Sequence, residues 1–234
     1  MPLLKIYNLS MDISKLLKKD NHNIPLPDKV YNTLLRDILT GKLPKDTRLI
    51  ESKICAMCGA SRTPVREAFR RLEMDGLVEY IPNRGDFVRG LSDMEVSDML
   101  CMRLDLEVRA IRWCVRRISK EELSELADIF RYMEFYTGKK DISKMININL
   151  AFHQAIYNST RDTILKKTLT SYQEYTNYCC PPNYFERGYL ESVLAEHRSI
   201  FSAIMEKDEE AAASAMRIHM TNTIKRSKTI TAGQ

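Results

Sequence analysis

Gly59-Ala60-Ser61-Arg62-Thr63-Pro64-Val65-Arg66-Glu67 is a short turn running into a helix with two unlike faces. Ser61 is a residue type that caps helix N-termini, and Pro64 is tolerated in the first turn, where its missing N–H has no intrahelical partner. Val65, Ala68, Phe69 and Leu72 share one side and pack the helix down, which leaves Arg62, Thr63 and Arg66 at its exposed start. A shorter helix over 50–58 precedes the turn and ends at Gly59. A helix, a tight turn and a second helix whose first residues can meet base edges are the parts of a helix-turn-helix. The residue types suit that use, since arginine bonds guanine bidentately and a threonine hydroxyl reaches phosphate or base. Arg70 and Arg71, further along, suit phosphate contacts or ion pairs. The plain alternative is a basic helix face solvated beside Glu67 and Glu73.

The flanking segments favour the first reading. Upstream, Val30, Tyr31, Leu34, Leu35, Ile38 and Leu39 recur at helical spacing from Asp28 and stop at Gly41. Downstream, the helix ends at Asp75-Gly76 and the period changes. Leu77-Val78-Glu79-Tyr80-Ile81 reads as a strand, Pro82-Asn83-Arg84-Gly85 as a turn, and Asp86-Phe87-Val88-Arg89 as a returning strand. Three helices and a hairpin make a winged helix-turn-helix. Arg84 and Gly85 then lie at the wing tip, placed for a minor groove or the backbone. Charge agrees: residues 1–91 hold 16 Lys+Arg against 11 Asp+Glu, and residues 92–234 hold 20 of each. The whole net charge of +5 therefore sits on the side of the chain with that helix, which points to a polyanionic partner there.

Beyond Leu91 the pattern is helical throughout, so the fold class is mainly α: a winged helix-turn-helix followed by an all-α bundle of about six helices. Ser92-Asp93-Met94-Glu95 and Ser119-Lys120-Glu121-Glu122 both match the capping box. Helices are expected at about 92–117, 120–137, 141–158, 161–176, 186–206 and 208–228, with a loop at Cys179-Cys180-Pro181-Pro182-Asn183. The organisation expected is an arm over 1–26, the winged domain over 27–91, the helical domain over 92–229 and a tail over 230–234. A short helix around Met11 to Lys18 fits within the arm, where His22 has no visible partner.

Composition sets outer bounds. With 44% hydrophobic and 29% charged residues, the chain is an ordinary globular protein. Its six cysteines do not form the paired framework of a small secreted domain, the first residues lack a signal-peptide pattern, and no apolar run approaches transmembrane length. A cytoplasmic protein with free thiols and no membrane partner is expected. Cys55-Ala56-Met57-Cys58 has the spacing of a metal or redox pair, but it lacks a second pair and falls where small apolar side chains pack a helix-turn-helix core.

Three of the four histidines, His153, His197 and His219, sit on separate expected helices, on or near apolar stripes. Asn149 lies four residues before His153 and so shares its face. Imidazoles from three helices can converge in a bundle centre and hold a divalent metal with positions open for a small ligand. Buried histidines with purely structural partners are the competing reading, and spacing alone does not decide.

These same residues carry a resemblance. Ile38-Leu39-Thr40-Gly41-Lys42-Leu43-Pro44, Ala60-Ser61-Arg62-Thr63-Pro64-Val65-Arg66-Glu67-Ala68 and Leu72-Glu73-Met74-Asp75-Gly76-Leu77-Val78 resemble the DNA-binding domain of the GntR family of bacterial regulators. The resemblance implies operator contacts at Ser61, Arg62, Thr63, Arg66, Arg84 and Gly85; Ser52 stands where members often have a basic residue. Residues 92–227 resemble the FCD effector domain of the FadR-type branch, through Arg103-Leu104-Asp105-Leu106-Glu107, Asn149-Leu150-Ala151-Phe152-His153, Glu196-His197-Arg198-Ser199-Ile200 and the approach to His219. In that family an Asp and three histidines hold zinc or a similar ion that helps bind a carboxylate. The implied metal set here is Asn149, His153, His197 and His219, with an amide where the family has a carboxylate. An amide oxygen still ligates, but the lost charge weakens binding or changes the preferred metal. Arg103 is the candidate to grip an effector carboxylate, and an ion pair with Glu107, four residues on, is the equally available alternative.

The expected function is a ligand-responsive, homodimeric transcription repressor of a metabolic operon. It reads a pseudo-palindromic double-stranded operator and senses a small organic acid in a metal-containing pocket. A regulator for which the metal is itself the signal is a second reading. A metalloenzyme using the three histidines is a third, and no paired acid–base motif such as His-Glu-x-x-His accompanies them.

Overall fold

The computed structural model describes residues 24–180 and 188–231, with side chains to 226. The arm expected over 1–26 therefore lies almost wholly outside the described residues, as do His22, the Pro181-Pro182-Asn183 part of the loop and the end of the tail. Two compact units emerge, one from residues 24–99 with 174–180 and the other from 100–173 with 188–231.

The first unit opens with α1 (Leu26–Leu39), started by the Pro25 and Pro27 pair and closed by Thr40. A two-residue strand β1 (Arg48–Leu49), α2 (Glu51–Cys58), α3 (Arg62–Met74), β2 (Val78–Ile81) and β3 (Gly85–Val88) follow. Gly59 ends α2 in the left-handed region at φ +60°, which a side chain with a Cβ adopts only with strain. The antiparallel sheet runs β1-β3-β2, with Val78 opposite Val88 and Arg48 opposite Phe87. The strand β1 was not expected from the sequence, since two residues are too few to show alternation. The turn of the wing has Pro82 in its second place and Asn83 at φ +63° in its third, and Arg84 N–H donates to Ile81 O at 3.0 Å. That is the pattern of a type II turn. Val30, Leu34, Leu35, Val65, Phe69 and Leu72 fill the core between α1 and α3, so both amphipathic faces read from the sequence are buried where expected.

The start of α4 (Asp93–Arg117) is tied to this unit. Ser92 and Glu95 form the expected capping box: Ser92 N–H donates to Glu95 Oε2 at 2.9 Å, and Glu95 N–H donates to Ser92 Oγ at 3.2 Å. Arg89 joins that box to the end of the preceding helix. Its Nε donates to Gly76 O at 2.5 Å, and its Nη2 donates to Glu95 Oε1 at 2.7 Å.

In the second unit α4 from residue 100 is joined by α5 (Lys120–Lys139), α6 (Ile142–Ser159), α7 (Thr163–Cys179) as far as residue 173, α8 (Tyr189–Met205) and α9 (Glu209–Thr231). Ser119 and Glu122 make the second capping box, and the Asp141 side chain caps α6. Ile111, Leu126, Met133, Phe152, Tyr157 and Met216 are fully buried at the centre of the bundle. Lys140, Arg161 and Lys207 take left-handed backbone angles where α5, α6 and α8 end. None of these three residues is a glycine, and α5 runs one residue past Gly138, so the helix ends lie a residue or two from where the sequence puts them.

Candidate functional site

Two sites follow from this frame, one in each unit. On α3, Ser61, Arg62, Thr63 and Arg66 are exposed, while Pro64, Val65, Ala68 and Phe69 are buried. Ser61 takes the backbone angles of a cap, yet its hydroxyl makes no capping bond. Of the two donors a cap can bond, the N–H of the second or third helical residue, the third is missing, because that residue is Pro64. Arg66 Nε bonds Glu51 Oε1 at 2.6 Å across the α2–α3 turn, and that neighbour holds the Glu51 carboxyl below its usual range. Arg84, at the wing tip, is exposed with its guanidinium over the Phe87 ring at 5.3 Å. Gly85 has φ +95°, and the Arg48 guanidinium passes 3.7 Å from where a Cβ would stand. Arg48 is a further cation on this sheet that the sequence reading did not single out. Arg71 is engaged elsewhere, bonded to Asp28 at 2.5 Å and stacked 4.1 Å over the Tyr31 ring. Cys55 and Cys58 pack against the core of this unit, and burial raises the Cys58 thiol.

In the bundle, α6, α8 and α9 bring His153, His197 and His219 together. All three are buried, and one ligating nitrogen from each lies within 4.8 Å of the other two. His197 Nδ1 faces Val193 O at 2.8 Å, one turn earlier on its own helix. His219 Nδ1 faces Glu196 Oε2 at 2.8 Å. An acceptor on Nδ1 places the ring proton there and leaves Nε2 to ligate. His197 Nε2 is indeed buried without a hydrogen-bond partner. Burial lowers the pKa of His197, aided by the neighbouring rings of His219 and His153; burial also lowers that of His219, against the pull of Glu196. Neutral imidazoles are the state that binds metal, so the donor set fits a divalent ion such as zinc.

Further polar groups surround these rings, and Glu196 and Tyr157 among them were not assigned from the sequence. Glu196 takes His219 on one oxygen and Asn222 on the other, at 2.8 Å each, and Arg226 grips both oxygens at 2.9 and 3.0 Å. Burial would raise its carboxyl, but those partners outweigh it and hold it at about 2. Tyr157 donates to Glu107 Oε1 at 2.5 Å. Arg103 is buried and bonds that same oxygen through Nε and Nη2 at 3.3 Å, so the i+4 ion pair weighed from the sequence is present. Burial raises Glu107 while His153, Arg103 and Tyr157 more than offset it. Asn149 lies one turn before His153 on α6 and is half-buried. The spacing of Arg103 and Glu107 was visible beforehand, whereas nothing local marked Glu196 as the partner of a histidine 23 residues away.

A winged helix-turn-helix with an exposed Arg–Thr start, on a chain that continues into a helical bundle, defines a DNA-binding transcription regulator. Residues 26–88 match the bacterial regulatory proteins of the gntR family, and residues 98–222 match the FCD domain. The chain belongs to the GntR family, in the branch that carries an FCD domain. Relatives include the uncharacterized HTH-type transcriptional regulator YdhC of Bacillus subtilis, 29% identical over 194 residues that span 82% of this chain and 86% of that one. The HTH-type transcriptional repressor RspR of Escherichia coli is 27% identical over 209 residues, 86% and 88% of the two chains. Among solved structures, E. coli McbR/YncC shares the fold with a TM-score of 0.70 at 23% identity, covering 88% of this chain and 99% of that one. The family and these relatives are regulators rather than enzymes. Among the described residues no helix is long and apolar enough to cross a membrane.

Proposed function

We propose that this regulator is a homodimeric repressor whose DNA affinity is set by a small ligand bound beside a divalent metal in the bundle. The observation that carries the reading is the convergence of three buried imidazoles from three helices. A metal among neutral histidines keeps positions for a ligand oxygen, which suits a small carboxylate. Ser61, Arg62, Thr63 and Arg66, with the wing residues Arg84 and Gly85, read the operator, and two such units on a two-fold axis match a pseudo-palindrome. Two relatives support the sign of regulation: RspR is named a repressor, and another of E. coli, 24% identical, is named the galactonate operon transcriptional repressor.

One observation favours a variant of this reading, in which the metal itself is the signal. Arg103, the cation offered to an effector carboxylate, is already engaged by Glu107.

Selection of duplexes from a random pool, followed by anisotropy titrations, tests the DNA half. Arg62→Ala and Arg66→Ala are each expected to weaken the selected site by about 1–3 kcal/mol and to relax the base preference. Equal affinity for selected and random duplex overturns it. Elemental analysis of the purified protein, with His153→Ala and His219→Ala as controls, tests the metal half. Titrating DNA affinity with metal alone, then with metal plus small organic acids, separates the two signals.

A further inference from the structure

We propose that Glu107 is the positioning residue for the metal-binding histidines: its carboxylate fixes the His153 ring so that Nε2 faces the ion, and Arg103 and Tyr157 hold Glu107 for that task. The inference rests on the metal reading above and deepens it.

The three rings share one arrangement, with a single difference. His197 and His219 each have an acceptor 2.8 Å from Nδ1. His153 has Glu107 Oε2 at 3.5 Å from Nδ1, a few tenths of an ångström beyond hydrogen-bond reach. Both of these atoms are buried and without a hydrogen-bond partner. A carboxylate oxygen and an imidazole nitrogen facing each other in that condition are two halves of one bond. A small turn of the ring closes it.

The two oxygens of Glu107 have different work. Oε1 is anchored by the Tyr157 hydroxyl at 2.5 Å and by Arg103 at 3.3 Å, and Oε2 is aimed at His153. Glu107 and the His153 side chain are essentially closed to water, at 0% and 1% exposure, so solvent does not compete for the contact. A carboxylate on the far nitrogen of a metal-ligating histidine sets its tautomer and raises its basicity. Glu196 stands in the same relation to His219. Arg103 thereby acquires a role other than gripping an effector: it keeps the Glu107 carboxylate in place.

The test uses the full chain and zinc alone. In the zinc-loaded protein, nitrogen-15 NMR of the His153 ring is expected to show Nε2 ligated and the proton on Nδ1. Competition against a chromophoric chelator is expected to show zinc about 10–100-fold weaker in Glu107→Gln, with the melting temperature of the metal-free variant recorded alongside. Zinc affinity within twofold of the parent in a folded Glu107→Gln overturns the proposal, as does ligation of His153 through Nδ1. Should Glu107→Gln not fold, the NMR result on the unaltered chain decides alone. An unaltered chain that binds no zinc removes the metal reading and this inference together, whereas zinc binding indifferent to Glu107 removes only the inference.

Discussion

Arg66, proposed to meet DNA, has one of its nitrogens already committed. Glu51 bonds its Nε at 2.6 Å, and the two Nη groups of this exposed side chain stay outside that bond. A guanidinium held in this way loses less rotamer freedom on gripping a guanine. Glu51→Gln is therefore expected to raise affinity for random duplex, because a negative charge near phosphates is gone, while the ratio of specific to random affinity falls. Anisotropy titrations on both duplexes at one salt concentration read both effects. Glu95 gives a second prediction at this scale. Arg89 and the Ser92 backbone and hydroxyl hold its carboxyl at about 2, down from 4.5. A carboxylate depressed in the folded state stabilises it above the unfolded pKa and stops doing so as pH falls to the folded one. The cap on α4 should thus weaken between pH 4.5 and about 2, and Glu95→Gln should flatten that part of an acid-unfolding curve. At residue level the exposure of Arg62, Thr63 and Arg66 was legible in the sequence, because exposure at a helix start follows from periodicity alone. The partners of the histidines were not, because Glu107 and Glu196 are selected by helix crossings that no local spacing encodes.

Most helices of the bundle are started by a side-chain cap, from Ser92, Ser119, Asp141, Asp162 or Asp208, and these devices can be removed one at a time. Ser119 accepts from Glu122 N–H at 3.2 Å and Glu122 Oε2 accepts from Ser119 N–H at 2.9 Å, closing the first turn of α5. Ser119→Ala should destabilise the chain by about 1 kcal/mol in urea unfolding, since the Glu122 N–H loses its side-chain acceptor. Leu72, at 0% exposure on the buried side of α3, belongs to a different class of loss. Leu72→Ala leaves a cavity and should cost about 2–5 kcal/mol, with specific DNA binding falling alongside because the recognition helix loses its seat. Both capping boxes were read correctly from Ser-x-x-Glu, a signal confined to one turn. The strand β1 escaped because its pairing partner, Phe87 opposite Arg48, lies 39 residues away.

For the molecule as a whole, the proposed metal among α6, α8 and α9 would bind the folded bundle and not the unfolded chain. Zinc at a hundredfold excess over its dissociation constant should add about 2.7 kcal/mol to stability, visible as a melting temperature that rises with free zinc and falls back with a chelator. The same three-helix closure is what sequence could only offer as one of two options, since spacings of 44 and 22 residues between the histidines are silent about distance in space. One further feature bears on how such a ligand is felt at the DNA. Arg89 ties Gly76, just past the end of the recognition helix, to Glu95 in the first turn of α4, and α4 runs on without a break to Arg103 and Glu107. Any factor by which metal changes DNA affinity must equal the factor by which DNA changes metal affinity, because the two share one coupling free energy. Arg89→Ala should therefore pull both ratios towards one while each partner, measured alone, is still bound within a few-fold of its usual strength. Ratios that stay put would locate the tie in some other pair of side chains.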